Sequence, residues 1–329
     1  MSRQVFTFIP QLSRLYSAVT ALAFGFGVSA CSVAEYEPPI RTFSEAASSA
    51  NAALSGYSNL AVKEVGRIRR EQALATPPGV RFMREGETID CQGNSNRCRV
   101  VILAQRDDPN PKLIDPEPPI QNILTLMNEI RKYGNGLQAI VAADTAARVE
   151  RSVDSVNGNL VNLAKLVGQD KSFGSFATPA GEAIKWAFGA YINSVKLNAL
   201  RTATQNADPL IADSVSLFTK TMEQADSITR ESLAETVRTR LDAFRESRTD
   251  ANLTNLLQAA RAYDTVLTAD PEAVFAGLAK AHSDLTKALN DDEISWDKAI
   301  ASLEAVKTQA QRLEGIVMGL LAAANAEEG

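Results

Sequence analysis

The chain has 329 residues and a formal charge of −5, with 45% hydrophobic and 22% charged residues. This balance is ordinary for a folded soluble protein and excludes general disorder. The mild acidity provides no electrostatic footprint for nucleic-acid binding. Aromatic residues make up only 6% of the chain. Ala, Leu, Gln, Glu, Lys and Arg are abundant instead, and they favour helices over strands.

The first thirty residues have the three zones of an export signal. Arg3 and Arg14 supply positive charge, residues 18–26 form a short apolar run, and small residues precede Cys31. The run is far shorter than the ~20 apolar residues that a membrane-spanning helix needs. We therefore expect residues 1–30 to be a signal peptide that is removed during export.

The stretch Val28-Ser29-Ala30-Cys31 resembles the lipobox of bacterial lipoproteins. The resemblance covers only the N-terminus. It implies that Cys31 receives a diacylglyceryl group, that the chain is cleaved before it, and that its amine is usually acylated. Ser32, which stands where the family can have aspartate, favours the outer membrane, facing the periplasm. A secretory signal with a chance cysteine, or a cytosolic apolar helix, would be the alternatives.

Two further cysteines, Cys91 and Cys98, flank a turn-rich loop. In an oxidising compartment such a pair predicts a structural disulfide, worth at most roughly 2.5 kcal/mol for so short a loop. A metal-binding or redox pair is the alternative. The spacing is too long for a Cys-x-x-Cys motif, however, and no histidine lies nearby. We therefore predict neither a metal nor a cofactor.

The beginning of the mature chain predicts a tether followed by a helix. Residues 31–41 would be the lipidated tether, and Thr42 and Glu45 match a capping box. Apolar residues then recur at helical spacing. We expect this helix to end before Pro77.

Residues 79–105 change character. Val80–Met83 and Arg99–Leu103 are strand-like runs on either side of the cysteine loop, and they predict a disulfide-pinned β-hairpin. Prolines in residues 107–119 then make a stiff connection.

The rest of the chain has helical periodicity. Residues 120–167 would be about 70 Å long if unbroken, but the glycines at 134, 136 and 158 predict kinks. Three cap-and-proline pairs, Thr178-Pro179, Asp208-Pro209 and Asp270-Pro271, predict helix starts. Asp250 and Ser295 would cap two more helices. The sequence thus predicts an all-α fold over residues 42–329, an elongated bundle of long, partly coiled-coil helices with one small hairpin.

Signals of enzymatic chemistry are nearly absent. His282 is the only histidine, and we expect it at the surface or at the edge of the core rather than in a catalytic role. Ser295 and Lys298 match the Ser-x-x-Lys pattern of penicillin-recognising enzymes, but helix capping by Ser295 explains the serine. We predict that the protein is not an enzyme.

Arginines gather around the predicted hairpin, and the candidate anion-binding or partner-binding residues are Arg81, Arg84, Arg97 and Arg99. They could meet lipid headgroups, lipopolysaccharide phosphate or an acidic partner, although nearby acids could pair with them instead. A second patch, residues 183–191 with Trp186 and Tyr191, would be an interaction face, a membrane wedge or part of the core.

The leading hypothesis is therefore a non-catalytic, membrane-anchored envelope lipoprotein that acts as a periplasmic scaffold, spacer or partner-docking protein. Its partners would be the membrane, through the lipid on Cys31, and another envelope protein; helix-mediated oligomers are also compatible with the pattern. One alternative is a helical membrane-acting protein that resembles α-pore-forming toxins. Another is a small-molecule-binding or hydrolytic lipoprotein.

Overall fold

The computed structural model describes residues 33–75, 79–84, 98–103, 121–169, 188–290 and 295–327. Helices dominate this part of the chain, and two antiparallel strands, β1 (Gly79–Arg84) and β2 (Cys98–Leu103), follow the first helix. In chain order the helices are α1 (Val33–Ala75), α2 (Gln121–Ala142), α3 (Ala146–Leu166), α4 (Phe188–Glu246), α5 (Asp250–Val266), α6 (Pro271–Asn290) and α7 (Trp296–Glu327).

The longest of these helices, α4, is the axis of the bundle. Its 59 residues correspond to about 88 Å at 1.5 Å per residue. Helices α1, α2 and α3 pack against it, and α5 and α6 follow one another along it. Helix α7 packs mainly against α1 and α6. The helical bundle predicted from the composition and periodicity is confirmed.

The apolar stripes that the sequence predicts form the core of this bundle. On α3 every member of the stripe from Val149 to Leu163 is at most 4% exposed. The stripes of α1, α6 and α7 are buried in the same way. Their fully buried members include Phe43, Ala47, Ala50, Leu54, Tyr57, Leu278, Ala281, Leu285, Leu303 and Ala310.

The glycines in residues 120–167 do not interrupt the helical pattern, because 134 and 136 lie inside α2 and 158 lies inside α3. The helical pattern breaks at residues 143–145, where the Thr145 side chain caps α3 by accepting from the Arg148 amide. Helices α2 and α3 then fold back on each other as an antiparallel hairpin. Gly134 and Gly136 allow close packing instead. A Cβ on Gly134 would lie 3.3 Å from the Ser44 Cα, and one on Gly136 would lie 2.5 Å from a Val156 methyl.

The start of the first helix also differs from the expectation. Residues 33–41 are not a tether but the first turns of α1, and Tyr36 and Ile40 are buried. Thr42 is not an N-cap, because its hydroxyl donates to the Pro38 carbonyl inside the helix. Pro38 and Pro39 remove two backbone hydrogen bonds. Burial of the apolar side chains around them outweighs that loss.

The proline signals identify helix starts only in part. Helix α6 begins at Pro271, with Asp270 accepting from the Ala273 amide, and α7 begins after Ser295, as predicted. The cap of α5 is Thr249 rather than Asp250. The start predicted at Asp208-Pro209 is wrong, because α4 continues through Pro209. Thr178-Pro179 lies outside the described residues.

The strands pair with Gly79 opposite Leu103 and Arg84 opposite Cys98. Cys91 lies outside the described residues, so the disulfide stays a prediction, and so does the stiff connection over residues 107–119. Each long helix packs against several neighbours. The expectation of partly coiled-coil packing therefore gains no support.

A matched pair of glycine substitutions tests the close packing of α2 on α3. We expect Gly136→Ala to lower the free energy of unfolding by about 1–3 kcal/mol, because its methyl would overlap the stiff, fully buried Val156 side chain. Gly158→Ala on α3 meets nothing within 4 Å, so it should raise stability by up to about 1 kcal/mol. Urea unfolding measures both. Equal effects of the two substitutions would contradict the packing role of Gly136.

Candidate functional site

The residues proposed from sequence as functional are only partly described. Cys31, Cys91, Arg97 and Trp186 lie outside the described residues. The other three arginines are in the strand pair, where Arg81 stands opposite Val101, Met83 opposite Arg99 and Arg84 opposite Cys98.

A buried polar cluster lies where three helices meet, and the sequence did not predict it. His282 on α6 is fully buried rather than at the surface or the core edge. Its Nε2 lies 3.0 Å from the hydroxyl of Tyr133 on α2, and its Nδ1 lies 3.1 Å from a carboxylate oxygen of Asp208 on α4. The ring of Phe43 on α1 packs against both the histidine and the tyrosine.

Both ring nitrogens of His282 have a partner. In the neutral ring, Nδ1–H donates to the Asp208 carboxylate and Nε2 accepts from the Tyr133 hydroxyl. Burial, followed by the nearby Asp208 charge, holds the pKa of Tyr133 well above its usual value of 10.0. The tyrosine is therefore a neutral donor, and all the polar atoms of the imidazole ring are satisfied.

Carboxylate, imidazole and hydroxyl follow one another here as in an acid–base relay, but the hydroxyl end is closed to solvent. Tyr133, His282 and Phe43 are each 0% exposed, and only the Asp208 side chain, at 33%, reaches solvent. A substrate has no access to the tyrosine hydroxyl in this arrangement. The contacts instead join α2, α4 and α6 at one level of the bundle.

Two basic residues of α4 bind the C-terminal ends of other helices. Lys196 is buried, and its Nζ donates to the Val141 carbonyl in the last turn of α2 at 2.7 Å. Arg201 donates from Nε to the Leu289 carbonyl at the end of α6 at 2.6 Å. Cations stabilise the negative end of a helix dipole. Burial lowers the pKa of Lys196, against the charges of Glu37 and Asp144, which raise it.

Farther along α4 two more polar contacts bind α1. The Tyr57 hydroxyl donates to Asp226 at 2.6 Å, and burial together with this bond raises the pKa of Tyr57. About two turns farther along both helices, the buried Glu64 of α1 accepts a hydrogen bond from Ser232 of α4 at 2.8 Å. Glu64 also forms an ion pair with Arg67 at 3.1 Å. Both contacts lie between parallel stretches of α1 and α4, so they fix the axial position of one helix against the other.

An open cleft with a volume of about 710 Å³ lies between α2 and α3. Its described lining carries three basic residues, Lys132, Arg148 and Arg151, and no acidic residue. Neutral polar and small residues complete the lining: Asn135, Gly136, Ala139, Ala142, Ala143, Ser152, Ser155 and Asn159. Such a lining offers hydrogen-bond donors and positive charge, which is the chemistry that binds an anion.

The cleft lies toward the end of the bundle where α1 begins, which we call the proximal end. Lys196 donates a hydrogen bond to the last turn of α2, and it is close enough to Glu37 of α1 for their charges to interact. The start of α1 is therefore beside the α2–α3 turn. Lys307 of α7 pairs with Glu45 of α1 at 2.8 Å, and α7 runs parallel to α1. The N-terminus of α7 thus lies at the same end.

Comparisons with known proteins give this chain no relatives: no family model, no curated protein and no solved structure matches it. Within the described ranges, no group of three or more His, Cys, Asp or Glu residues is placed to hold a metal ion. Over the same residues, no helix is both long and apolar enough to cross a membrane.

The role of the buried cluster can be tested with a double-mutant cycle. Tyr133→Phe leaves the buried His282 Nε2 without a donor, and His282→Leu leaves the Tyr133 hydroxyl without an acceptor. Each change should lower the free energy of unfolding by about 1–3 kcal/mol. The double variant removes both polar groups, so we expect it to be milder than the sum by about 1–2 kcal/mol. Strict additivity in chemical denaturation would show that the two groups do not interact.

Proposed function

We propose that the protein is a non-catalytic lipoprotein of the bacterial cell envelope, anchored by acyl chains on Cys31, whose helical body serves as a scaffold for another envelope protein. The observation that carries this proposal is the start of α1. The helix begins at Val33, and from Tyr36 onward one side of it is buried in the bundle. The lipid would therefore attach directly to the rigid body rather than through a tether.

With Cys31 acylated, the short chain between it and α1 would hold the proximal end of the bundle near the membrane surface. Two residues span at most about 7 Å, and Glu37 is four residues, about 6 Å, into α1. The headgroup layer of one leaflet is about 5–7 Å thick. With acyl chains on Cys31 in the hydrocarbon, the first turns of α1 would lie at or just above the headgroups.

Two aromatic residues at this end fit that orientation. Tyr191 lies five residues before Lys196, and Trp296 begins α7, so both belong to the proximal end. Both side chains are half-buried and pack against the core. Tyr and Trp are enriched where membranes meet water, because each combines an apolar ring with a polar group.

The opposite end of the bundle supports a docking role. Arg245, near the end of α4, lies 49 residues beyond Lys196, or about 74 Å along the helix axis. There α4 packs against α5, whose Leu253 and Leu257 are 39% and 48% exposed. Leucines one helical turn apart lie on one face of α5, so they would offer a partner helix two adjacent apolar contacts. The predicted disulfide between Cys91 and Cys98 belongs to the same proposal, because an exported chain meets oxidising conditions.

Metabolic labelling tests the anchor. In cells fed radioactive palmitate, the wild-type chain should carry label, and its mass should correspond to residues 31–329 plus the acyl groups. Cys31→Ser should abolish labelling and release the protein from washed membranes, because a single residue carries all the acyl chains. Cys98→Ser, a matched change at another cysteine, should leave labelling intact. An unlabelled, uncleaved wild-type chain would contradict the proposed function.

A further inference from the structure

The positive charge of the α2–α3 cleft is available to a ligand. Lys132 is paired with Glu129 at 2.7 Å, and Arg148 with Asp144 at 2.9 Å. Both Arg148 and Asp144 are more than half exposed, and such pairs contribute little to stability. A stronger anion can therefore displace Asp144 from Arg148.

Arg151 is a second exposed arginine in the lining of the cleft. Its Nε donates to the Ala147 carbonyl at 3.3 Å, which is a neutral acceptor. Among the described residues it has no carboxylate in ion-pair contact. Arg151 comes three residues after Arg148 on α3, so the two side chains occupy neighbouring positions on one face of the helix. Two guanidinium groups side by side bind phosphate oxygens well, because each offers a planar pair of donors.

Neutral donors line the cleft beyond the arginines. Ser152, Ser155 and Asn159 continue along α3, and Asn135 faces them from α2. The Asn135 carbonyl oxygen already accepts from Ser44, which leaves its amide nitrogen as a donor. Gly136, Ala139 and Ala142 provide the space, because their side chains are absent or small. The lining thus combines charge for a phosphate with hydroxyl and amide groups for a polar headgroup.

We propose that this cleft binds the phosphate-bearing headgroup of a lipid in the membrane that holds the protein. The inference rests on the proposed anchor for its choice of ligand. The α2–α3 turn lies beside the start of α1, and Arg148 is three residues after Thr145 in that turn. The arginines would therefore be held at the level of the headgroups. A cleft of about 710 Å³ is large enough for a headgroup.

Calorimetric titration tests this site apart from the anchor. The purified protein, in a non-ionic detergent, is titrated with dihexanoyl phosphatidylglycerol, and inorganic phosphate is titrated in parallel. We expect saturable binding of the lipid at one site and much weaker binding of phosphate. Arg148→Gln with Arg151→Gln should weaken lipid binding at least about tenfold, through the loss of two charge-assisted contacts. Ala139→Phe, which fills the cleft without a change of charge, should also weaken it.

The control is Arg238→Gln with Arg245→Gln, since these exposed α4 arginines form helical ion pairs as Arg148 does. It should bind lipid like the wild type, and equal melting temperatures should show that all variants fold. If the control weakened lipid binding equally, the effect would come from net charge alone, and the proposed site would be wrong. Inorganic phosphate binding as tightly as the lipid would overturn the choice of ligand. Because the titration does not depend on acylation, a failure of palmitate labelling and a failure of this site are separate results.

Discussion

The arrangement of the bundle depends on polar contacts that α4 makes at intervals along its length. Burial of the alanine and leucine stripes stabilises the bundle, but the hydrophobic effect itself has no direction. Hydrogen bonds from α4 add directional contacts, because each has one partner at one level. In order along α4, Lys196 contacts α2, then Arg201 and Asp208 contact α6. Asp226 and Ser232 contact α1.

The same contacts determine what lies at each end of the molecule. Lys196 brings the end of α2 to the start of α1, so the cationic cleft and the half-buried Tyr191 lie at the proximal end of the bundle. The C-terminal part of α4 carries α5 and its exposed leucines far from that point. The proposed lipid at one end and the proposed docking surface at the other would suit a protein that holds a partner at a fixed distance from a membrane. Both would then lie along the axis of α4.

The sequence predicts those parts of this structure that depend on periodicity. The stripes of α3, α6 and α7 are buried as their spacing indicates, and Asp270-Pro271 begins a helix. Prediction from the sequence fails where the same residue can have either of two structural roles. Asp208 before a proline has the pattern of an N-cap, yet it lies inside α4 and binds His282.

The predictions made from the glycines of α2 and the prolines of α1 fail for a related reason, because tertiary packing outweighs local preference. Gly134 and Gly136 allow neighbouring helices to approach, which a local rule records only as a weakened helix. One signal for the buried cluster was present. His282 lies four residues after Leu278 and three before Leu285, a core position that requires polar partners. Those partners come from α2 and α4, so neither could be identified from one helix.

Electron paramagnetic resonance on the acylated protein in liposomes tests the central claim most directly. Spin labels are placed singly at Arg41, which is exposed in the third turn of α1, and at Arg245, which is exposed near the far end of α4. Nickel chelated to lipid headgroups then serves as the relaxing agent. A bundle that stands on its proximal end predicts strong relaxation at position 41 and none at position 245, since the two levels are tens of ångströms apart along α4. Equal relaxation at both positions, or stronger relaxation at position 245, would contradict the account.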